Sequence, residues 1–324
     1  MPTYPDISSQ AFKHPLDQQA EQALRSVPGF DLLAKSFSEY LYERPQQILL
    51  MGNDLKVGPR QYATLYGIYR QCLRDLDMFP EPNLYVSQNP LANAYSLGSE
   101  HPYIVLNTAL LDLLDEEETR VILAHELGHL KCDHSILIQM SFWVMGAANF
   151  LGGITLGLGK AITTGLVYAF YEWRRKAELS ADRAALLVSD DLNLVLRTLM
   201  KCAGGSQKYL HECNLEEFIR QGEAYRQLDQ DNLNQIYKFL IYNGGNGSFL
   251  THPFSVERVH YLQEWFNSES YRQIRRGNYA KTGVKSSINV DANDAHDSES
   301  ERLRRQIAEL QAEIERAKRQ KNHE

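Results

Sequence analysis

Residues 115–131, Asp-Glu-Glu-Glu-Thr-Arg-Val-Ile-Leu-Ala-His-Glu-Leu-Gly-His-Leu-Lys, predict the helix on which the fold depends. Asp115 can cap this helix, and Glu118, three residues later, completes a capping box. The acidic first turn also suits the helix dipole. An apolar face with helical spacing follows, formed by Val121, Ala124, Leu127 and Leu130. The stretch therefore predicts an amphipathic helix that begins just after Asp115.

The same helix contains His125-Glu126-Leu127-Gly128-His129, in which two histidines stand four residues apart. Such residues lie one turn above each other, so His125 and His129 can hold one metal ion from the same side. Glu126 is rotated off that face and can reach a metal-bound water, as in zinc-dependent hydrolysis of peptide bonds. The alternative is a surface helix with two unrelated histidines.

A third ligand is expected from a second helix, because a catalytic zinc ion usually has three protein ligands and one position for water. The candidates are Glu178 and Asp182, which are again four residues apart in a segment of good helix formers. Glu178 would be the carboxylate ligand. Asp182, one turn later, could accept the ring N–H of a ligand histidine and fix its tautomer. The alternative is an exposed acidic pair beside the basic residues 174–176.

An HExxH helix followed by a Glu-x-x-x-Asp helix resembles the HtpX-like and CAAX-prenyl-protease-type zinc metallopeptidases, over roughly residues 60 to 265. Residues 82–86 and 93–98 are similar to the strands before the zinc helix in that family. Residues 107–114 are similar to its lead-in, and Thr251-His252-Pro253 with Arg258 to its C-terminal signature. The resemblance implies a zincin-like (gluzincin) domain that binds one Zn²⁺ per chain.

The resemblance also implies roles for individual residues. The zinc ion would be held by His125, His129 and Glu178, and Asp182 would accept the ring N–H of a ligand histidine. Glu126 would be the general base that returns its proton to the leaving amine.

A further donor should approach the carbonyl oxygen that gains charge during attack. His252 or Arg258 could supply it. There are two alternatives for His252: it could occupy the fourth zinc position and make the enzyme latent, or it could simply begin a helix ahead of a proline.

The resemblance also implies that Asn93, Ala94 and Tyr95 pair their backbone with a substrate strand. The alternatives are an ordinary strand or a turn.

Composition limits the classes of protein that fit. The 324 residues can bury a large core, and the net charge of −7 argues against nucleic acid as a partner. The four cysteines form no CxxC pair and predict no disulfide framework. The first 22 residues are polar, without a basic and then apolar leader, so we expect a cytoplasmic enzyme or one on the cytosolic face of a membrane.

The pattern along the chain predicts a mainly helical α+β fold with a small sheet beside the zinc helix. Residues 1–60 would form an N-terminal helical segment, ending near Pro45, and a short hairpin over 48–57. Residues 61–270 would form the metallopeptidase domain. It would open with a helix over 62–78 and continue with short strands around 83–87, 95–98 and 103–106.

Residues 135–171 form an apolar stretch that we interpret as a glycine-rich helical hairpin packed on the domain, a membrane face or another subunit. The alternative is a transmembrane pair, since the uncharged part, 136–159, could span a bilayer. Two passes need about 40 residues plus a turn, which is more than this stretch provides. Contact of residues 136–170 with a membrane surface is compatible with either interpretation.

The C-terminal part changes character twice. Residues 277–300, rich in Asn, Asp, Ser and Lys, predict a disordered linker, and residues 301–320 a short coiled-coil-like helix. Within it, residues 303–317 carry an apolar seam at alternating spacings of four and three, which is the pattern of a parallel homodimer. The alternative is a solvated terminal helix.

Three functions compete. The leading hypothesis is a zinc-dependent endopeptidase that acts on protein or peptide substrates, such as misfolded or membrane-associated proteins. The second is a zinc-stabilised chaperone-like or peptide-binding module with little or latent proteolysis, which would not need Glu126. The third is a structural protein whose histidines bind no metal. His-His-carboxylate ligation also suits other divalent metals.

Overall fold

The helix predicted from the capping box runs from Glu116 to Lys131 and is buried along almost its whole length. Glu118 donates its backbone N–H to Asp115 Oδ1 at 2.9 Å, and Asp115 donates its own to Glu118 Oε2 at 3.0 Å. The box therefore satisfies two donors that the start of a helix leaves free. The computed structural model describes residues 3–31, 33–34, 43–98, 101–150, 160–230, 234, 238, 241–242 and 252–282.

The described helices, in chain order, are α1 (Pro15–Arg25), α2 (Glu43–Asn53), α3 (Ala63–Asp75), α4 (Thr108–Leu113), α5 (Glu116–Lys131), α6 (His134–Phe150), α7 (Lys160–Ser189), α8 (Leu192–Gly204), α9 (Leu215–Leu228), α10 (Ser255–Phe266) and α11 (Glu269–Arg275). The strands are β1 (Leu55–Lys56), β2 (Asn83–Ser87), β3 (Ala94–Leu97) and β4 (Tyr103–Asn107). The predicted mainly helical α+β fold is confirmed.

The four described strands form one mixed sheet in the order β1-β2-β4-β3. β2 and β4 are parallel, and β1 and β3 are antiparallel to their neighbours. β4 is buried at every position, as expected for a central strand. β3 lies at one edge of the sheet and packs against α5. The predicted strands are therefore confirmed to within one residue at their ends.

Two helices cross closely at the centre of the core. A Cβ atom added to Gly128 of α5 would lie 2.6 Å from the Cβ of Ala184 and 3.1 Å from the Cα of Ala181, both on α7. Real side chains never approach so closely, so only glycine permits this contact. The glycine of the HExxH motif thus sets the distance between the two predicted metal-binding helices.

The N-terminal segment differs from the prediction in two respects. The hairpin predicted over 48–57 is wrong: residues 43–53 are helical, and β1 pairs with β2 instead. Leu49, Leu50 and Met51 are good helix formers, and residues 52–54 end the helix rather than reverse the chain. Pro45 also lies within α2, so a helix does not end there.

The described parts of the apolar stretch, 135–150 and 160–171, fall on α6 and the first part of α7, which pack against each other, whereas 151–159, in the middle of the predicted hairpin, lie outside the described residues. α1 joins them through an apolar cluster that contains Leu24, Leu137, Phe170 and Trp173. Among the described helices, none combines the length and the apolarity that crossing a bilayer requires. The disordered linker predicted over 277–300 begins too early: Ser8 donates its backbone N–H to the Ala280 carbonyl at 2.9 Å and Thr282 donates its own to the Asp6 carbonyl at 2.7 Å, so residues 277–282 are held against the N-terminal segment. Residues 283–300, the coiled-coil-like helix and its dimer seam lie outside the described residues.

Candidate metal centre

The crossing of α5 and α7 brings together the three predicted metal ligands. His125 Nε2 lies 3.3 Å from His129 Nε2 and 3.2 Å from Glu178 Oε2. His129 Nε2 lies 3.5 Å from Glu178 Oε1. All three side chains are buried. Within the described part of the chain, they are the group of histidines, cysteines and carboxylates that could hold a metal ion.

These distances fit a zinc ion. Tetrahedral bonds of about 2.0–2.1 Å keep neighbouring ligand atoms about 3.3 Å apart, close to the separations found here. Glu178 Oε2 is also buried without a hydrogen bond from any described residue, although it lies 3.2 Å from His125 Nε2. A buried carboxylate oxygen without a donor is costly, and a cation would satisfy it. The donor set of two imidazoles and a carboxylate is that of catalytic zinc sites.

Asp182 holds His125 in place through Nδ1, the ring nitrogen that does not face the other two ligands. Its Oδ1 lies 3.1 Å from His125 Nδ1, and Arg258 donates to its two oxygens at 2.8 and 2.5 Å. Burial alone would raise the pKa of Asp182, but the Arg258 guanidinium and His125 hold it below its usual value. Asp182 is therefore a carboxylate that accepts the Nδ1 proton of His125, which leaves the Nε2 lone pair for a metal.

The second histidine has a partner that the sequence did not reveal. His129 Nδ1 lies 2.9 Å from His134 Nδ1, and His134 Nε2 lies 3.0 Å from Asp17 Oδ2. His134 begins α6 directly after the polar Asp133, where the local sequence favours a solvated side chain, but it is completely buried. No spacing rule connects Asp17 of α1 to a motif more than a hundred residues later, so only the folded structure identifies it.

Glu126, the predicted general base, lies on α5 beside the first ligand, and its side chain is buried. It forms no hydrogen bond or ion pair with another residue of the described ranges. The carboxylate is therefore not engaged by the hydrogen bonds that hold the neighbouring ligands.

His252 and Arg258 both reach the ligand carboxylate. His252 Nε2 lies 3.4 Å from Glu178 Oε1 and its side chain is half-exposed, whereas Arg258 is nearly buried and lies 3.9 Å from Glu178 Oε2. The Glu178 carboxylate raises the pKa of His252, but burial and the positive charge of Arg258 outweigh it, and the net shift is downward. His252 thus lies beside the ligand cluster with half of its side chain exposed.

The predicted substrate-binding residues lie at the edge of the sheet. Ala94 and Tyr95 belong to β3 and pair with Leu106 and Val105 of β4. Asn93 precedes the strand, and its carbonyl accepts the backbone N–H of Asn107 at 3.0 Å. The Tyr95 side chain is 38% exposed. Because β3 packs on α5, this strand runs beside the helix that carries both histidines.

Comparison with known proteins gives a family. The model of peptidase family M48 matches residues 59–266. The plastoglobule-localized metallopeptidase 48, chloroplastic, of Arabidopsis thaliana is 33% identical over 288 residues, which cover 87% of this chain and 80% of that protein. A protease HtpX homolog of Methylibium petroleiphilum is 25% identical over 249 residues, covering 70% of this chain and 83% of that protein. No solved structure is significantly similar to the chain.

Proposed function

The chain belongs to peptidase family M48 and is a metalloprotease of zincin-like fold, and we propose that it is an endopeptidase whose metal is zinc. One observation supports the metal site above all. Two helices bring His125, His129 and Glu178 together with ligand atoms 3.2–3.5 Å apart, and Glu178 Oε2 accepts no hydrogen bond from the residues that the structure describes. One Zn²⁺ per chain would be held by these three residues.

Glu126 is the proposed general base. When bound, zinc supplies Lewis acidity and a water whose pKa is lowered toward neutrality. The Glu126 carboxylate would accept a proton from the attacking water and pass it to the nitrogen of the leaving amine. A substrate carbonyl can approach the cluster from the side on which the half-exposed His252 lies. Asp182 and Arg258 hold His125 in place throughout, because their hydrogen bonds do not involve the reacting groups.

The geometry favours different roles for His252 and Arg258. Arg258 directs its guanidinium at Asp182 through two hydrogen bonds, and we assign it to positioning the ligands. His252 is half-exposed beside Glu178, and we assign it as the donor to the carbonyl oxygen that becomes negative. The latent alternative, in which His252 occupies the fourth metal position, predicts the opposite effect of its removal on activity.

The edge strand supports an extended peptide as substrate. β3 pairs with β4 on one side, so a substrate segment could add to the other side through backbone hydrogen bonds. The Asn93 carbonyl already accepts from Asn107, and backbone groups of alternate residues face opposite sides of a strand, so Ala94, flanked by Asn93 and Tyr95, would provide the bonds to the substrate. Backbone recognition suits unfolded proteins of many sequences, which supports a role in protein quality control.

The exposed side chains of Ile136, Phe142 and Tyr168 support the additional proposal that residues 136–170 contact a membrane surface.

The Glu126→Gln variant tests the proposal against the peptide-binding alternative. We expect the variant to bind zinc as the parent does and to lose cleavage of an unfolded protein such as reduced casein. A variant that cleaves as fast as the parent would exclude Glu126 as the base. Stoichiometric zinc with no cleavage by the parent itself would favour the binding module.

A further inference from the structure

His129 is connected to the N-terminal helix through a line of buried polar groups. His129 Nδ1 lies 2.9 Å from His134 Nδ1, and His134 Nε2 lies 3.0 Å from Asp17 Oδ2. The side chains of Asp17 and His134 are completely buried. Asp17 belongs to α1, outside the residues 59–266 that match the family model. A carboxylate from the N-terminal segment therefore ends a line that begins at a metal ligand.

The chemistry of these groups determines where each proton lies. An ionised carboxylate can only accept, so His134 must donate its Nε2 proton to Asp17. Two ring nitrogens 2.9 Å apart can share only one proton, and a His134 ring that carries its proton on Nε2 leaves its Nδ1 available to accept. His134 Nδ1 is an acceptor, so His129 must donate its own Nδ1 proton to it. The Nε2 atom of His129 is thereby left with its lone pair directed at Glu178 and His125.

Asp17 is itself held in position by two further donors. Ser180 Oγ donates to Asp17 Oδ2 at 2.6 Å, and Trp173 Nε1 donates to Asp17 Oδ1 at 3.2 Å. The backbone N–H of His14 donates to Ser180 Oγ at 2.9 Å, which fixes the beginning of α1 on α7. Burial alone would raise the pKa of Asp17, but the hydrogen bonds from His134 and Ser180 and the charge of Lys13 lower it. Asp17 is thus an ionised, fully engaged carboxylate.

We propose that Asp17 is a positioning residue of the metal centre, which acts through His134 to fix the tautomer and the orientation of His129. The proposal rests on the proposed zinc site. It means that α1 is part of the metal centre, so that zinc affinity depends on a helix that does not contact the ion. His129 is then oriented in the same manner as His125, but by a carboxylate two side chains away instead of one.

The tautomers can be measured in the unmodified protein. In full-length protein loaded with Zn²⁺ and labelled with ¹⁵N at histidine, long-range ¹H–¹⁵N couplings identify the protonated nitrogen of each ring. We expect the proton of His134 on Nε2 and that of His129 on Nδ1. A proton on His134 Nδ1 would contradict the proposal, because His129 would then have no acceptor.

Asp17→Asn tests the effect on the metal. An amide at this position must place its NH₂ group either against His134 and Ser180 or against Trp173. In the first orientation a switch of the His134 tautomer relieves the conflict at the expense of His129, and in the second the neutral amide oxygen is a weaker acceptor for His134 than the carboxylate. We expect the zinc dissociation constant, measured by competition with a chelator, to rise about 10- to 100-fold. Asp17→Ala, which removes the acceptor, should weaken zinc binding by a similar factor.

Leu24→Ala is the matched control. Leu24 is also a completely buried residue of α1, but it packs in the apolar cluster with Leu137 and Phe170. This variant should lower the melting temperature and leave the zinc dissociation constant unchanged. If Leu24→Ala weakens zinc binding as much as Asp17→Asn, or if Asp17→Asn and Asp17→Ala bind zinc like the parent, Asp17 has no positioning role. Absence of zinc binding by the parent would instead refute the proposed function.

Discussion

Gly128 of the HExxH motif lies so close to Ala184 that a Cβ atom added to it would be 2.6 Å from the Cβ of that alanine. The first residue belongs to the helix with the two histidines and the second to the helix with Glu178. The contact therefore controls how closely two imidazoles and a carboxylate approach one another. The glycine between the histidines is a packing residue with a direct consequence for the metal site.

Gly128→Ala should destabilise the protein. The added methyl group would have to push α5 and α7 apart, at a cost of about 1–3 kcal/mol in the free energy of unfolding. The better helix propensity of alanine offsets about 1 kcal/mol at most. Gly67→Ala is the control, because Gly67 is an exposed helical glycine with nothing within 4 Å of its added Cβ. In denaturant unfolding, the free energy of unfolding should fall for Gly128→Ala and rise for Gly67→Ala. A rise for both variants would show that the contact between α5 and α7 is not tight.

Asp182→Asn should weaken zinc binding by about 10- to 100-fold. Both oxygens of Asp182 accept hydrogen bonds, from His125 and from Arg258, so either orientation of the amide places NH₂ against a donor. Chelator competition measures the change. Asp31→Asn, at an exposed position, serves as control. Equal zinc affinities of parent and Asp182→Asn would mean that this carboxylate does not orient the ligand.

Zinc binding should release a proton at neutral pH. In the metal-free protein, burial alone would lower the pKa of His125, but Asp182 and Glu178 raise it to about 10. The ring is therefore protonated below that pH, and the proton must leave before Nε2 can bind a metal. Affinity should rise roughly tenfold per pH unit below about pH 10 and level off above it. Calorimetry in buffers of different ionisation enthalpy would detect this proton; a pH-independent affinity would be incompatible with the expectation.

His252→Ala distinguishes an assisting from a repressing histidine. If His252 donates to the developing oxyanion, kcat should fall roughly 100- to 1,000-fold while zinc content stays at that of the parent. His211→Ala, at an exposed histidine of the 3₁₀-helix Gln207–Glu212, should change neither. An increase in kcat for His252→Ala would instead show that this residue blocks the metal in a latent enzyme.

Local sequence patterns predicted the central helix and most of the ligand set. The capping box, the apolar spacing and the two histidines of α5 are all signals within a single helix, and family resemblance added Glu178 from a second helix. Strands β2–β4 were predictable for the same reason, since each is a short apolar run between turn residues.

Signals that depend on tertiary packing were not predictable. Residues 48–51 read equally well as strand or helix, and they are helical because Leu50 packs on the sheet with Tyr85 and Tyr103. His134 reads as a surface residue in a polar stretch, and it is buried because Asp17 and Trp173 enclose it from two distant elements. No periodicity encodes a contact between α1 and the start of α6.

The zinc content of Glu178→Ala relative to the parent tests the central claim most directly. Both proteins are purified, equilibrated with the same low concentration of free Zn²⁺ and measured for bound metal per folded chain. His125 and His129 belong to one helix, so Glu178 is the one of the three metal ligands that comes from a second helix. We predict one zinc ion per chain in the parent and a large loss in the variant. Full occupancy and unchanged affinity in Glu178→Ala would contradict the three-residue metal centre.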